Sequence, residues 1–222
     1  MVKMNDTKPK NYVLLGPPGS GKSTQATLLK NKYSLAHIDI GSELRRLAES
    51  DTDLGRKIHQ IINVKKELVS DGLVGEVIEN TLGAIPRNQG VLLDGAPRRV
   101  SQTDEVEEAL ASQGRIIDKV VFLDLSEQHA IQRISKRWLC QECKAPYIGS
   151  IEEIQALGVC SVCSGAISQR PDDTPEGVSK RYAVFVSNTR PVLEYYQAQG
   201  KLIRIDAELP PEAIASTIEQ SL

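Results

Sequence analysis

Five short runs of Val, Ile, Leu and Tyr stand apart along the chain, at residues 12–15 (YVLL), 37–40 (HIDI), 91–93 (VLL), 120–123 (VVFL) and 202–205 (LIRI). Each is strand-length, and each is predicted as a β-strand. Between them lie longer stretches with apolar residues at three- and four-residue spacing, at 101–113, 126–137 and 177–199, which predict helices. Ser101-x-x-Asp104 is a candidate capping box for the first of these, and Pro210-Pro211-Glu212 marks the start of a last helix, because proline is tolerated in the first turn. The alternation predicts an α/β fold with a parallel five-stranded sheet flanked by helices. Parallel strands need crossover connections, and near-continuous apolar strands are those buried on both faces.

Two stretches break the alternation. Residues 44–82 carry two or three helical patterns without a convincing strand, more than one crossover needs, and read as a helical insertion. Residues 140–173 are poor in periodicity and rich in Cys, Gly, Pro and Ser, and read as a small separate subdomain.

The chain has 222 residues, 40% hydrophobic and 25% charged, which suits a globular protein and argues against disorder, collagen or a coiled-coil rod. Lys and Arg total 27 against 29 for Asp and Glu, a net charge of −2, so no global basic excess draws it to nucleic acid or anionic lipid. An anion site must be local. No apolar run approaches the roughly 20 residues of a membrane span, and residues 1–10 are polar, which predicts a mobile tail on a cytoplasmic protein.

The local anion site is legible. Residues 12–15 run into Gly16-Pro17-Pro18-Gly19-Ser20-Gly21-Lys22-Ser23, which fits G-x-x-x-x-G-K-[ST] and leads through Thr24 into a helical pattern. In such a strand-loop-helix unit the backbone N–H groups turn inward on phosphate, the helix N-terminus adds positive potential, and Lys22 reaches the β and γ phosphates. Asp94 closes the strand at 91–93, where P-loop proteins keep the Asp that serves Mg²⁺. His37, His59 and His129 are scattered and read as structural or surface residues.

Cys140-x-x-Cys143 and Cys160-x-x-Cys163 have the spacing of two knuckles around one tetrahedral Zn²⁺. Local disulfides or free thiols are the alternatives, and disulfides are disfavoured in a cytoplasmic protein. A closed Cys₄ site leaves no coordination position for substrate, so its role is structural. A nucleic-acid ribbon needs a basic stripe, whereas the span between Cys143 and Cys160 carries Lys144, Tyr147, Glu152 and Glu153 and no Arg.

Together with the phosphate loop, Leu93-Asp94-Gly95-Ala96-Pro97-Arg98 and Arg170-Pro171-Asp172-Asp173 with Arg181 give the chain a family likeness. From about residue 12 to about residue 210 it resembles the nucleoside monophosphate kinases, most closely adenylate kinases of the long, zinc-lid type. The resemblance implies a P-loop core at 1–38, 70–135 and 174–222, a helical insertion over the monophosphate at 39–69, and a zinc-binding lid at 136–173. It implies that Gly16, Gly19, Ser20, Gly21, Lys22, Ser23, Thr24, Asp94, Arg133 and Arg137 serve ATP and its Mg²⁺. Arg45 and Arg98 would hold the acceptor phosphate. Arg133, Arg137, Arg170 and Arg181 would converge on the donor and the transferred group, with Lys22, Arg98, Arg137, Arg170 and Arg181 as the catalytic set. Asp172 and Asp173 would tie the lid down. Ile40, Gly95, the backbone of Glu67, Leu68 and Val69, and the side chain of Gln102 would seat the acceptor.

Such a site needs no general base. Phosphoryl transfer rests on positioning and charge stabilisation, and a monophosphate with a second pKa of about 6 is already ionised at neutral pH. Ile40 stands where the family has Thr, Ser42 where it has Asp, Ser23 where it usually has Gly, and Ala96 where it commonly has an aromatic residue. Because Gln102 can both donate to and accept from an adenine edge, AMP is expected ahead of CMP or UMP. The expected enzyme is a monomer running ATP + AMP ⇌ 2 ADP, with Mg²⁺ and a structural zinc. A UMP/CMP kinase and a P-loop nucleotide sensor without efficient turnover are the alternatives.

Overall fold

In a computed structural model, which describes residues 9–65 and 69–222, all five predicted strands form one parallel sheet. They are β1 (Asn11–Leu15), β2 (Ala36–Asp39), β3 (Val91–Asp94), β4 (Lys119–Asp124) and, last in the chain, Leu202–Asp206, numbered β8 below because three short strands of a second sheet intervene. Their spatial order is β2-β3-β1-β4-β8. Every pairing is parallel, with Val13 opposite Leu93 on one side and Val120 on the other. The expected polar tail lies almost wholly outside the described residues.

The period-two alternation of β1 explains why both faces are covered. Val13 and Leu15 point into one core cluster with Ile38, Leu93 and Phe122. Tyr12 and Leu14 point into the other with Leu92, Val121 and Leu123. The first cluster is closed by α2 (Ile40–Ala48), α4 (Asp71–Gly83), α5 (Thr103–Ala111) and α9 (Arg190–Ala198). The second is closed by α1 (Lys22–Tyr33), α6 (Glu127–Ser135), α8 (Pro175–Val184) and α10 (Pro211–Ser221).

Three sequence expectations need correction. The run at 37–40 ends its strand one residue early, because Asp39 caps α2 by accepting the Ser42 N–H at 3.0 Å, which makes Ile40 a helical residue. The Ser101 capping box does not form, since Ser101 Oγ donates instead to Asp71 Oδ2 at 2.5 Å. The single helix expected at 177–199 is α8 and α9 joined by a π turn at Phe185–Thr189. Residues 140–173 hold more order than their composition suggests. An antiparallel sheet of β5 (Arg137–Cys140), β6 (Pro146–Ile148) and β7 (Ile167–Ser168) carries α7 (Ile151–Leu157), which a Ser150/Glu153 capping box starts. Of the expected helical insertion, the described residues hold α2, α3 (Asp53–His59) and a π turn at Gln60–Lys65. Among the described residues, no helix is long and apolar enough to cross a membrane.

Candidate active site

The loop between β1 and α1 wraps tightly because its glycines are needed. A Cβ on Gly16 would lie 2.5 Å from Ser20 Oγ and 2.8 Å from the Leu123 carbonyl, while Gly21, which precedes α1, has φ +86°, a value that side chains rarely adopt. Ser20 is fully buried, and Ser23 and Thr24 are exposed in the first turn of α1, which contains no acidic residue. The helix therefore presents its N-terminal amides and positive end to the loop. Lys22 folds back over it, its Nζ donating to the carbonyls of Gly16 at 2.7 Å and Pro17 at 2.9 Å. Burial pushes this ammonium down to about 8, an effect that Asp94 opposes and that Arg98 and Arg137 deepen.

Two carboxylates lie across from the loop, for a topological reason. Asp39 and Asp94 end neighbouring parallel strands in register, so both stand at the carboxyl edge of the sheet, where open α/β folds bind ligands. His37 Nε2 lies 3.5 Å from Asp94 Oδ2. Burial alone would raise Asp39, but hydrogen bonds from the Ser42 hydroxyl and N–H, with the charge of Arg45, hold it below its ordinary value. Arg45 Nη2 donates to Ser42 Oγ at 2.9 Å. Arg98 Nε donates to the carbonyl of Gly95, whose φ is +87°. A Cβ on Gly41 would sit within 3.6 Å of Asp39, Arg45 and Arg98 together, so these three groups meet over one bare backbone position.

The other basic groups crowd the same crevice. Arg98 and Arg170 keep exposed surface, yet the surrounding protein partly desolvates both and so lowers them; Arg45 lowers each further, and Arg137 also lowers Arg170. Arg137 and Arg181 do not point freely at a donor. Both converge on Asp173, which Arg137 Nη2 meets at 2.8 Å and Arg181 Nη2 at 2.9 Å, and whose side chain is 0% exposed. Arg181 also pairs with Asp172 at 3.0 Å. Arg133 spans the carbonyls of Gly19 at 3.5 Å and Glu208 at 3.3 Å, bridging the phosphate loop to the turn after β8. The mutual repulsion of Lys22, Arg45, Arg98, Arg137 and Arg170 is opposed by Asp39, Asp94, Asp172 and Asp173, and a polyphosphate is a ligand whose charge would relieve it further.

The four cysteines come together beside this crevice's flanking sheet. Their Sγ atoms all lie within 4.8 Å of one another, with Cys140 and Cys163 at 3.4 Å and Cys143 and Cys160 at 3.5 Å. Zn–S bonds of about 2.3 Å imply S···S edges of roughly 3.8 Å in a tetrahedron, so the donor set fits zinc. The two knuckles share one hydrogen-bond pattern: Lys144 N–H donates to Cys140 O and Ser164 N–H to Cys160 O, and both Lys144 and Ser164 are left-handed. The Tyr147 hydroxyl donates to Cys160 Sγ at 3.1 Å and draws that thiol toward its thiolate.

The family model described as adenylate kinase matches residues 14–201. An adenylate kinase of Dehalococcoides mccartyi is 38% identical over 196 residues, 88% of this chain and 90% of that protein. Those of Kosmotoga olearia and Thermosipho africanus are 37% and 35% identical, covering 96% and 94% of this chain and 98% and 97% of their own. The chain belongs to the adenylate kinase family.

As an adenylate kinase family member it is a nucleoside monophosphate kinase, an enzyme that moves phosphate between nucleotides. The structure also places the residues expected at the acceptor seat. Ile40 is 2% exposed and packs in the core with Ile38 and Leu44, because the start of α2 turns it inward. Gln102 is buried, and its Oε1 accepts the Arg98 N–H at 2.7 Å, which fixes the amide orientation and takes up one lone pair of that oxygen. Val69 is buried, and Glu67 and Leu68 lie outside the described residues. Sequence reasoning passed over Asp39, whose signal was an acid just before an amphipathic helix, and Thr189, whose hydroxyl donates to the Arg98 carbonyl from the π turn at 3.0 Å. Thr189 carried no local signal.

Proposed function

We propose that this kinase catalyses ATP + AMP ⇌ 2 ADP. The observation carrying the reading is the gathering of Lys22, Arg45, Arg98, Arg137 and Arg170 around one crevice between the phosphate loop and the Asp39–Asp94 edge. In the reaction an ionised oxygen of the acceptor phosphate attacks the γ phosphorus of ATP, and the bond to the β–γ bridging oxygen breaks, leaving ADP on each side. Lys22 exchanges the Gly16 and Pro17 carbonyls for phosphate oxygens, and the loop amides hold the β phosphate. Arg45 and Arg98 orient the acceptor phosphate. Arg137, Arg170 and Arg181 meet the charge spread over the transferred group, with Asp173 holding two of their guanidinium planes in place.

Asp94 and the Ser23 hydroxyl would hold Mg²⁺, which supplies charge neutralisation on the β and γ oxygens. Cys140, Cys143, Cys160 and Cys163 would hold a structural zinc, giving the segment at 136–173 a rigidity its small core cannot supply. Residues 39–69 act as the acceptor clamp and 136–173 as the donor lid, and closure excludes the water that would compete for the γ phosphate. The same reading makes the protein a cytoplasmic monomer with small nucleotides as its partners.

The base is the open element, because Gln102 Nε2 can donate to a ring nitrogen of adenine or to a pyrimidine carbonyl. A coupled assay offering AMP, CMP, UMP and GMP in parallel tests it. Preferred turnover of AMP, dependent on Mg²⁺ and abolished by Lys22→Ala, is expected. Preference for a pyrimidine overturns the acceptor, and binding without turnover of any monophosphate favours a nucleotide sensor.

A further inference from the structure

Arg98 and Arg99 are consecutive, and Arg99 has extended backbone dihedrals (φ −136°, ψ 155°), so the two side chains leave the chain in opposite directions. Arg98 turns into the crevice. Arg99 turns toward the start of α4, where Nη1 donates to Asp71 Oδ1 at 3.1 Å and Nη2 to the Val69 carbonyl at 3.1 Å. The second oxygen of Asp71 accepts the Ser101 hydroxyl at 2.5 Å. The loop that ends in Gln102 is thereby tied by two side chains to the point where the helical insertion rejoins the core. The Arg99 and Asp71 side chains are 28% and 20% exposed, sheltered enough for the pair to hold one geometry. Nothing in the phosphate chemistry needs this tie.

We propose that Arg99 is a positioning residue for the acceptor base: without touching nucleotide, it sets the gap between the Val69 backbone and the Gln102 amide that the base must fill. The inference rests on the reading of Val69 and Gln102 as the acceptor seat. A planar guanidinium fixes both of its acceptors in one plane, whereas an ammonium is a point donor and cannot impose the same spacing. Losing the tie lets the two walls of the seat drift independently, which weakens base recognition and leaves the phosphate-binding arginines in place. Affinity for the acceptor and discrimination among bases should therefore fall together, with little effect on the donor side.

The test is initial-rate kinetics of wild type, Arg99→Ala, Arg99→Lys and Ser101→Ala, with AMP and CMP each varied at saturating ATP, ATP varied at saturating AMP, and melting temperatures measured alongside. For Arg99→Ala, a rise of about tenfold in KM for AMP is expected, with KM for ATP and kcat within about twofold and a smaller AMP-to-CMP preference. Arg99→Lys should recover the melting temperature more fully than the KM, and Ser101→Ala should raise KM for AMP by about two- to threefold. An unchanged KM for AMP overturns the inference, as does an equal loss on both substrates, which marks a merely structural role. If wild type itself fails to turn over AMP, it is the acceptor reading that has failed.

Discussion

Asp173 is the residue whose removal has the most calculable consequence. Its carboxylate is 0% exposed and takes bonds from Arg137 Nε at 3.2 Å, Arg137 Nη2 at 2.8 Å to each oxygen, and Arg181 Nη2 at 2.9 Å. Asp173→Asn keeps the shape, removes the charge and turns one acceptor into a donor facing a guanidinium. Breaking a buried ion pair costs about 3–5 kcal/mol. The guanidiniums here remain about a quarter exposed and can recover some hydration, which brings the cost to or below the bottom of that range, about 2–3 kcal/mol. For a chain of 222 residues, at about 2–4 °C per kcal/mol, that is a fall in Tm of roughly 4–12 °C. Differential scanning calorimetry reads it directly, and the same variant should lose at least about tenfold in kcat/KM for ATP because two arginines lose their anchor. A Tm shift below about 2 °C with unchanged kcat/KM would refute the argument that Asp173 organises these arginines.

Two further outcomes follow from the site. Lys22 has a native pKa near 8, below its ordinary 10.5, so between those values the unfolded chain binds more protons than the native one, and Lys22 contributes stability that grows as pH rises from about 8 to about 10.5. Lys22→Met should remove that increment from a stability-versus-pH series. In wild type, ATP binding near pH 8 should take up protons, seen as a dependence of calorimetric heat on the buffer's ionisation enthalpy; no such dependence contradicts the depressed ammonium. At the cysteines, elemental analysis should find one zinc per chain, and chelation or Cys160→Ser should lower Tm. A metal-free, fully folded protein with four titratable thiols would overturn the zinc assignment.

What the amino-acid sequence determined by itself was the chemistry written in distinctive runs of adjacent residues. The five strands announced themselves as apolar runs, the phosphate loop as eight consecutive positions, and the cysteine cluster as two Cys-x-x-Cys pairs, because each is built from residues within a few positions of one another. The order at residues 137–168 was hidden, since its three strands are two to four residues long, too short to display a period. Tertiary structure alone decided which partners the functional side chains take. Arg137 meets Asp173 across 36 residues, Arg99 reaches the Val69 carbonyl across 30, and Thr189 reaches the Arg98 carbonyl across 91. Ile40 packs into the core because Asp39 caps the helix and sets its rotation. Gln102 gave its oxygen to a backbone N–H that, in a buried position, had to be satisfied. These choices depend on desolvation and on what lies opposite in space, quantities that no stretch of neighbouring residues encodes.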